Sequence, residues 1–178
     1  MASSLEHPKI TLNYTGLFDF DGLYVAVVDW AKNYGYMWYE MSYKHKVPNP
    51  KGAEQELDWI ITKKVTDYIS FKIWFKVHTW DQTEVEVDVE GKKRALTNAR
   101  IHLTMEGFVE YDRQGRFAKG NKFGKMLGDW YSGYIYKREI ESYWDQLYYR
   151  MWNLHAVLKK YFEMQTQKFA YKGYLKEH

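Results

Sequence analysis

The chain has 178 residues, 46% of them hydrophobic, which is enough for one domain with a sizeable core and excludes a disordered polymer. Its net charge of +3 is small and its one cationic run is Lys92-Lys93-Arg94, so it lacks the clustered basic stripe of a nucleic-acid binder. Cysteine is absent, which excludes disulfides, iron–sulfur clusters, zinc–thiolate sites and a cysteine nucleophile.

Residues 1–8 are polar, carry no signal-peptide pattern and are expected to be flexible. Ile10 to Gly16 reads as a short strand. Asp19 then caps a helix over Phe20 to Tyr34, in which Leu23, Val27, Trp30 and Tyr34 mark one face and Gly35 is the stop. Tyr36 to Val47 alternates as a strand. Met37, Tyr39, Met41, Tyr43 and Val47 share the face expected to be buried, and Trp38, Glu40, Ser42, Lys44 and Lys46 share the other. Pro48-Asn49-Pro50-Lys51-Gly52 makes a turn.

A strand from about Glu54 to Val65 puts Leu57, Trp59 and Ile61 on one side. After a tight turn at Thr66-Asp67 comes the cleanest alternation in the chain. Ile69, Phe71, Ile73, Phe75 and Val77 are expected inside, with Lys72 and Lys76 outside, so the two runs form a hairpin. Thr83 to Val89 reads as a separate strand whose Glu84, Glu86 and Asp88 make a solvated acidic edge. The next strand, Ala99 to Asp112, carries Gly107 on its apolar face, which suggests a bulge or bend. Asp112 to Lys122 is a polar loop. Lys125 to about Gln165 reads as helix, with a seam of Ile140, Trp144, Leu147, Met151, Leu154, Leu158 and Tyr161. The tail, residues 166–178, is expected to fray, with Phe169, Tyr171 and Tyr174 able to tack it down.

No linker or repeat divides this sequence, so residues 1–178 are read as a single domain. The order is β-α-β-β-β-β-β-α. The fold class is α+β: a twisted antiparallel sheet of about six strands with the long C-terminal helix packed across it. A strand of ~14 residues at ~3.3 Å each and a helix of ~30 residues at 1.5 Å each have similar lengths, roughly 45 Å. This order of elements resembles the START-like helix-grip folds.

Chemistry-bearing motifs are few. The six histidines show no metal-ligand spacing. His78 and His102 fall on the polar faces of neighbouring strands and can meet as rim histidines. Lys119-Gly120-Asn121-Lys122-Phe123-Gly124-Lys125 lacks a phosphate-loop pattern. No cofactor and no metal is expected, and no window approaches the ~20 apolar residues of a membrane span.

Aromatic residues are the compositional outlier at 19%, with 17 Tyr, nine Phe and eight Trp. On the C-terminal helix, Tyr149, Trp152 and Ala156, flanked by Tyr148, lie nearly opposite the core seam. Such a second strip is either a partner site or is covered by another part of the chain. Trp38 and Trp74 also sit on faces read as polar. Their lysine neighbours do not outweigh the acidic strands, so nucleic-acid binding stays disfavoured.

Four segments carry a family resemblance. Leu12-Asn13-Tyr14-Thr15-Gly16-Leu17-Phe18-Asp19-Phe20, Tyr34-Gly35-Tyr36, Asp67-Tyr68-Ile69-Ser70-Phe71-Lys72-Ile73 and Val85-Glu86-Val87-Asp88-Val89-Glu90-Gly91-Lys92-Lys93 are similar to small uncharacterised archaeal proteins of like length. The resemblance implies an archaeal-type cytoplasmic protein and brings no catalytic residues with it.

Two functions follow as expectations. The first is a non-enzymatic module acting by contact with a protein partner, or as a homo-oligomer, through Tyr148, Tyr149, Trp152 and Ala156. The alternative is a carrier or sensor of an apolar small molecule held between the sheet and the C-terminal helix by Phe71, Phe75, Met105, Trp144 and Met151.

Overall fold

A computed structural model describes residues 3–49, 52–89, 92–111 and 136–162. Along the chain run β1 (Ser3–Glu6), β2 (Ile10–Phe18), α1 (Phe20–Asn33), β3 (Met37–Asn49), β4 (Gly52–Lys64), β5 (Ile69–Val89), β6 (Lys92–Tyr111) and α2 (Tyr136–Tyr161). The strands form one six-stranded antiparallel sheet in the order β1-β6-β5-β4-β3, with β2 also on β6. This is the α+β class that the alternating runs and the helical seam imply. The loop expected at Asp112–Lys122, the Lys119–Lys125 segment, the helix expected over 125–135 and the tail 166–178 lie outside the described residues.

The two helices pack on the same, inner face. Asp19 caps α1 by accepting a hydrogen bond from the Gly22 amide (2.9 Å), and Leu23, Val27, Trp30 and Ala31 are its buried side. Trp30 Nε1 donates to Asn153 Oδ1 at 2.8 Å, tying α1 to α2. Beneath them Leu57, Trp59, Ile61, Ile69, Phe71, Ile73, Phe75 and Val77 are buried, while Lys76 is exposed and Lys72 half-buried, in the register the alternation predicts. Ile140, Leu147, Met151, Leu154 and Leu158 of the α2 seam are buried against this layer.

The chain departs from the sequence reading at four places. First, Ser3–Glu6 was expected to be flexible but pairs with Phe108–Tyr111, and the His7 amide donates to the Gly107 carbonyl at 2.8 Å. β1 and β2 therefore lie end to end along one edge of β6. Second, Ile69–Val77 and Thr83–Val89 are one 21-residue strand, β5. The alternation breaks because the register against β6 shifts between Trp80 and Thr83, around Asp81 in the left-handed region (φ 54°). Odd-numbered residues face inward before this kink and even-numbered ones after it. Arg100 braces the kink through an ion pair with Asp81 at 2.7 Å. Gly52 (φ 124°) lets β4 start against it, since a Cβ there would sit 2.7 Å from the Asp81 carbonyl carbon.

Third, β3 presents the opposite face to that expected. Met37, Tyr39 and Met41 are 48%, 48% and 62% exposed, and Trp38 packs inward against Tyr24 and Trp59 (ring centroids 5.0 and 5.7 Å). The reason is the entry into the strand. The Tyr36 amide donates to the Ala31 carbonyl at 2.8 Å and its ring stacks on Trp30, which fixes Tyr36, Trp38 and Glu40 inward. A register shift between Glu40 and Ser42 then reverses the faces, so that Tyr43 lies opposite Leu57 on the inner side.

Fourth, Gly107 is not a bulge. It pairs in register with Ile73. Its missing side chain makes room for α2, because a Cβ there would collide with Met151 Sδ and lie 3.0 Å from the His7 ring. Gly107→Ala is therefore expected to destabilise the fold by about 1–3 kcal/mol, as overpacking does. With Met151→Ala added, the double variant should lose less than the sum of the two single losses, which chemical denaturation of all three variants would measure. Simple additivity of the two changes would show that the contact does not matter.

A candidate ligand cup beside the first helix

Among the described residues the strands outrun the helix, and the cup lies where they do. At ~3.3 Å per residue β5 spans roughly 70 Å, whereas 26-residue α2 at 1.5 Å per residue spans about 39 Å. Along α2, Tyr143 lies over Phe71 and Trp144 Nε1 reaches the Glu6 carbonyl at 3.3 Å. At the other end the Phe162 ring meets Tyr14 and Phe18 (4.7 and 5.5 Å). Phe18 pairs with Thr97. Among the described residues none of α2 lies above the inner face beyond Thr97, and there a cavity of about 590 Å³ opens to solvent.

Four strands and α1 build it. Gln55 and Leu57 of β4 and Thr97 of β6 are its buried floor. Glu40 and Tyr43 of β3 form one wall, Gln82 and Glu84 of β5 another, and Asp19, Phe20, Asp21 and Tyr24 bring in the N-terminal end of α1. The β3 register shift turns Tyr43 toward the cup, and the β5 kink turns Glu84 toward it.

Its polar groups are partly held in place. Glu40 Oε2 accepts from Trp59 Nε1 at 3.2 Å, and Asp19 Oδ1 serves as the α1 cap. Burial, followed by the Glu40 carboxylate, pushes the Tyr24 hydroxyl up from its ordinary pKa. Thr79 donates to Gln82 Oε1 at 3.2 Å. Gln55, only 8% exposed, has Nε2 3.0 Å from His45 Nδ1, and its Oε1 has no hydrogen-bond partner. A buried amide oxygen left without a donor is costly and uncommon, and here it belongs to a side chain of the cup floor.

The residues expected to hold an apolar ligand come together, but as core. Phe71, Phe75, Met105 and Met151 are buried, Phe75 stacks on Trp59 at 5.4 Å, and only Trp144 borders a surface cleft, beside Leu5, Glu141 and Asp145. The strip on α2 is where the periodicity places it. Tyr149 is 70% and Trp152 42% exposed, Ala156 is exposed, and Tyr148 is half-buried with its ring against both aromatics.

His78 and His102 are direct cross-strand neighbours, but each ring turns elsewhere. His78 stacks on Trp80 (3.8 Å) and its Nε2 lies 2.7 Å from Glu54 Oε1, while His102 meets Asn13 and Thr104. Glu54, Glu56 and His78 bring three ligand-type atoms within 4.8 Å of one another on the outer face. The Lys46 ammonium already sits among them, 2.8 Å from Glu56 and 3.3 Å from Glu54. The His78 hydrogen bond leads in holding Glu54 below the usual carboxylate range, and Lys46 does the same for Glu56. The acidic row of β5 continues past the last β4 pairing at Gln82, so among the described residues Thr83–Val89 pairs only with β6, and Glu86 meets Lys93 at 3.2 Å.

Sequence reading missed the cup. Its walls come from five elements, and two of them carry register shifts that no periodicity announces. The run Asp19-Phe20-Asp21 at a helix start is the one local signal, and by itself it reads as capping. No protein-family model matches this chain, and no curated protein matches its sequence.

His7 was also missed, and it supplies a pH test. The ring is 6% exposed, stacked on Trp144 at 4.3 Å, and neither nitrogen has a hydrogen-bond partner. Burial lowers its pKa to about 4, against the opposing pull of Asp145. The unfolded chain thus binds this proton first, and stability is complete above pH 6.5 and falls as pH drops toward 4. Between pH 6.5 and 5, above the carboxylate range, the loss should be about 2 kcal/mol. Unfolding curves of the parent and of His7→Phe over this window would check it: the variant should show a flatter profile, and equal slopes would remove His7 from the account.

Proposed function

We propose that this protein is a non-enzymatic binding protein that holds a small molecule in the cup beside the N-terminal end of α1. The observation that supports this reading is the cup itself: about 590 Å³, open on one side, with an apolar and amide floor and a rim of aromatic and charged groups. That is the size of a small-molecule site. The carrier or sensor role expected from the layout is kept, with its ligand moved from the packed layer under α2 to the end of the sheet beside α1. No described helix is long and apolar enough to cross a membrane. A cytoplasmic setting and an archaeal origin belong to this proposal, on the sequence resemblance alone.

A fragment survey by amide NMR tests the reading. Binding fragments should shift Tyr24, Gln55, Leu57 and Thr97 as a group and leave Tyr149 and Trp152 in place. Hits scattered over the surface, or confined to α2, would refute it.

A second reading is favoured by the exposure of Tyr149 and Trp152, since aromatic pairs of this kind anchor protein contacts. Under it the strip meets a second copy of this chain. The parent should then be a dimer or larger by mass in solution, and Tyr149→Ala with Trp152→Ala should be smaller with an unchanged circular dichroism spectrum. A parent monomeric at high concentration would dismiss self-association.

A further inference from the structure

We infer that the ligand of the cup is an organic ammonium ion, a primary or quaternary amine with an aliphatic or aromatic body; this rests on the cup being a binding site. Charge is the first argument. Asp19, Asp21, Glu40 and Glu84 all line the cavity, and none of its described lining residues is Lys or Arg. On the outer face of the same sheet the carboxylates are matched with cations. Glu54 and Glu56 meet Lys46, Glu106 meets Lys9, Glu110 meets Lys72 and Asp81 meets Arg100, each within 3.5 Å. Within the cup no carboxylate has such a partner among the described residues. The α1 N-terminus offsets part of this charge, but Asp19 already spends one oxygen on its cap.

The second argument is the unpartnered Gln55 oxygen in the floor, an acceptor waiting for a donor. The N–H of a primary ammonium supplies one, and in choline the hydroxyl would. The third is the set of rings. Phe20, Tyr24 and Tyr43 border the same space as the carboxylates, and aromatic faces attract an alkylammonium group and its apolar body together. A bare metal ion is a poorer match, since it needs several oxygens converging to ~2.0–2.6 Å, whereas these carboxylates are spread around a cavity of about 590 Å³. An anionic ligand would face four like charges.

The experiment uses the full chain at pH 7 in low salt with choline and tyramine, each beside its neutral isostere, 3,3-dimethylbutanol and 4-ethylphenol. Affinity is read by calorimetry and the location by amide NMR. At least one ammonium probe should bind about tenfold or more tighter than its isostere, the scale of a desolvated cation on aromatic and carboxylate groups. Its binding should weaken with added NaCl and shift Gln55 and Thr97. Glu40→Gln with Glu84→Gln should abolish the preference while leaving the neutral isostere unchanged. Gln keeps an acceptor for Trp59 Nε1, and Glu84 pairs with no described side chain, so the variant should fold, with the dispersion of its amide spectrum as the control. Ammonium probes no better than their isosteres, with shifts still at the cup, would overturn the cation and leave the binding site standing. No shift at the cup from these four probes or from any survey fragment would overturn both.

Discussion

The mismatch in length between sheet and helix governs this molecule. A helix rises less than half as far per residue as a strand, so the 26 described residues of α2 cannot cover the 21 and 20 residues of β5 and β6. Under the helix the sheet must be apolar and close-packed, to the point that residue 107 can carry no side chain. Beyond it the inner face meets water and turns polar within a few residues: Thr79, Gln82 and Glu84 on β5, Thr97 on β6. The core and the cup are two halves of one surface, divided where Phe162 meets Phe18.

Two register shifts reset the faces of the sheet around the cup. A long strand twists, and a regular two-residue alternation carried over its whole length would hold one set of side chains inward throughout. The shift around Asp81 in β5 and the one at Met41 in β3 exchange the sets. The first turns Val85 and Val87 to the outer face and Glu84 to the inner. The second turns Tyr43 inward and leaves Lys44 and Lys46 to meet Glu54 and Glu56 outside.

The aromatic surplus now has locations. Part of it is core: Trp30, Trp59, Phe71 and Phe75 are buried. Part joins the helices to the sheet, as in the Tyr24–Trp38–Trp59 and His7–Trp144–Tyr148 groups. Trp74 lies outside between Lys72 and Lys76, whose ammonium groups sit 5.5 and 5.6 Å from its ring. Others of the described rings border the cup or stand exposed on α2 and β3, and those are open to a ligand or a partner.

The sequence by itself determined most of the elements and most of their faces. Alternation at Ile69–Val77 and the 3–4 spacing from Ile140 to Leu158 are local patterns imposed by backbone geometry, so they survive in the fold. The Asp19 cap and the Gly35 stop are legible for the same reason. Tertiary structure alone decided the rest. Whether Met37 or Trp38 turns inward depends on how Tyr36 leaves α1, and the order of side chains along β3 holds no trace of that contact. Gly107 looks like a bend until Met151, 44 positions away, is seen to need its space. The cup is the extreme case. Asp19, Glu40, Gln55, Glu84 and Thr97 come from five separate elements, and they meet where the sheet runs on past the described residues of α2.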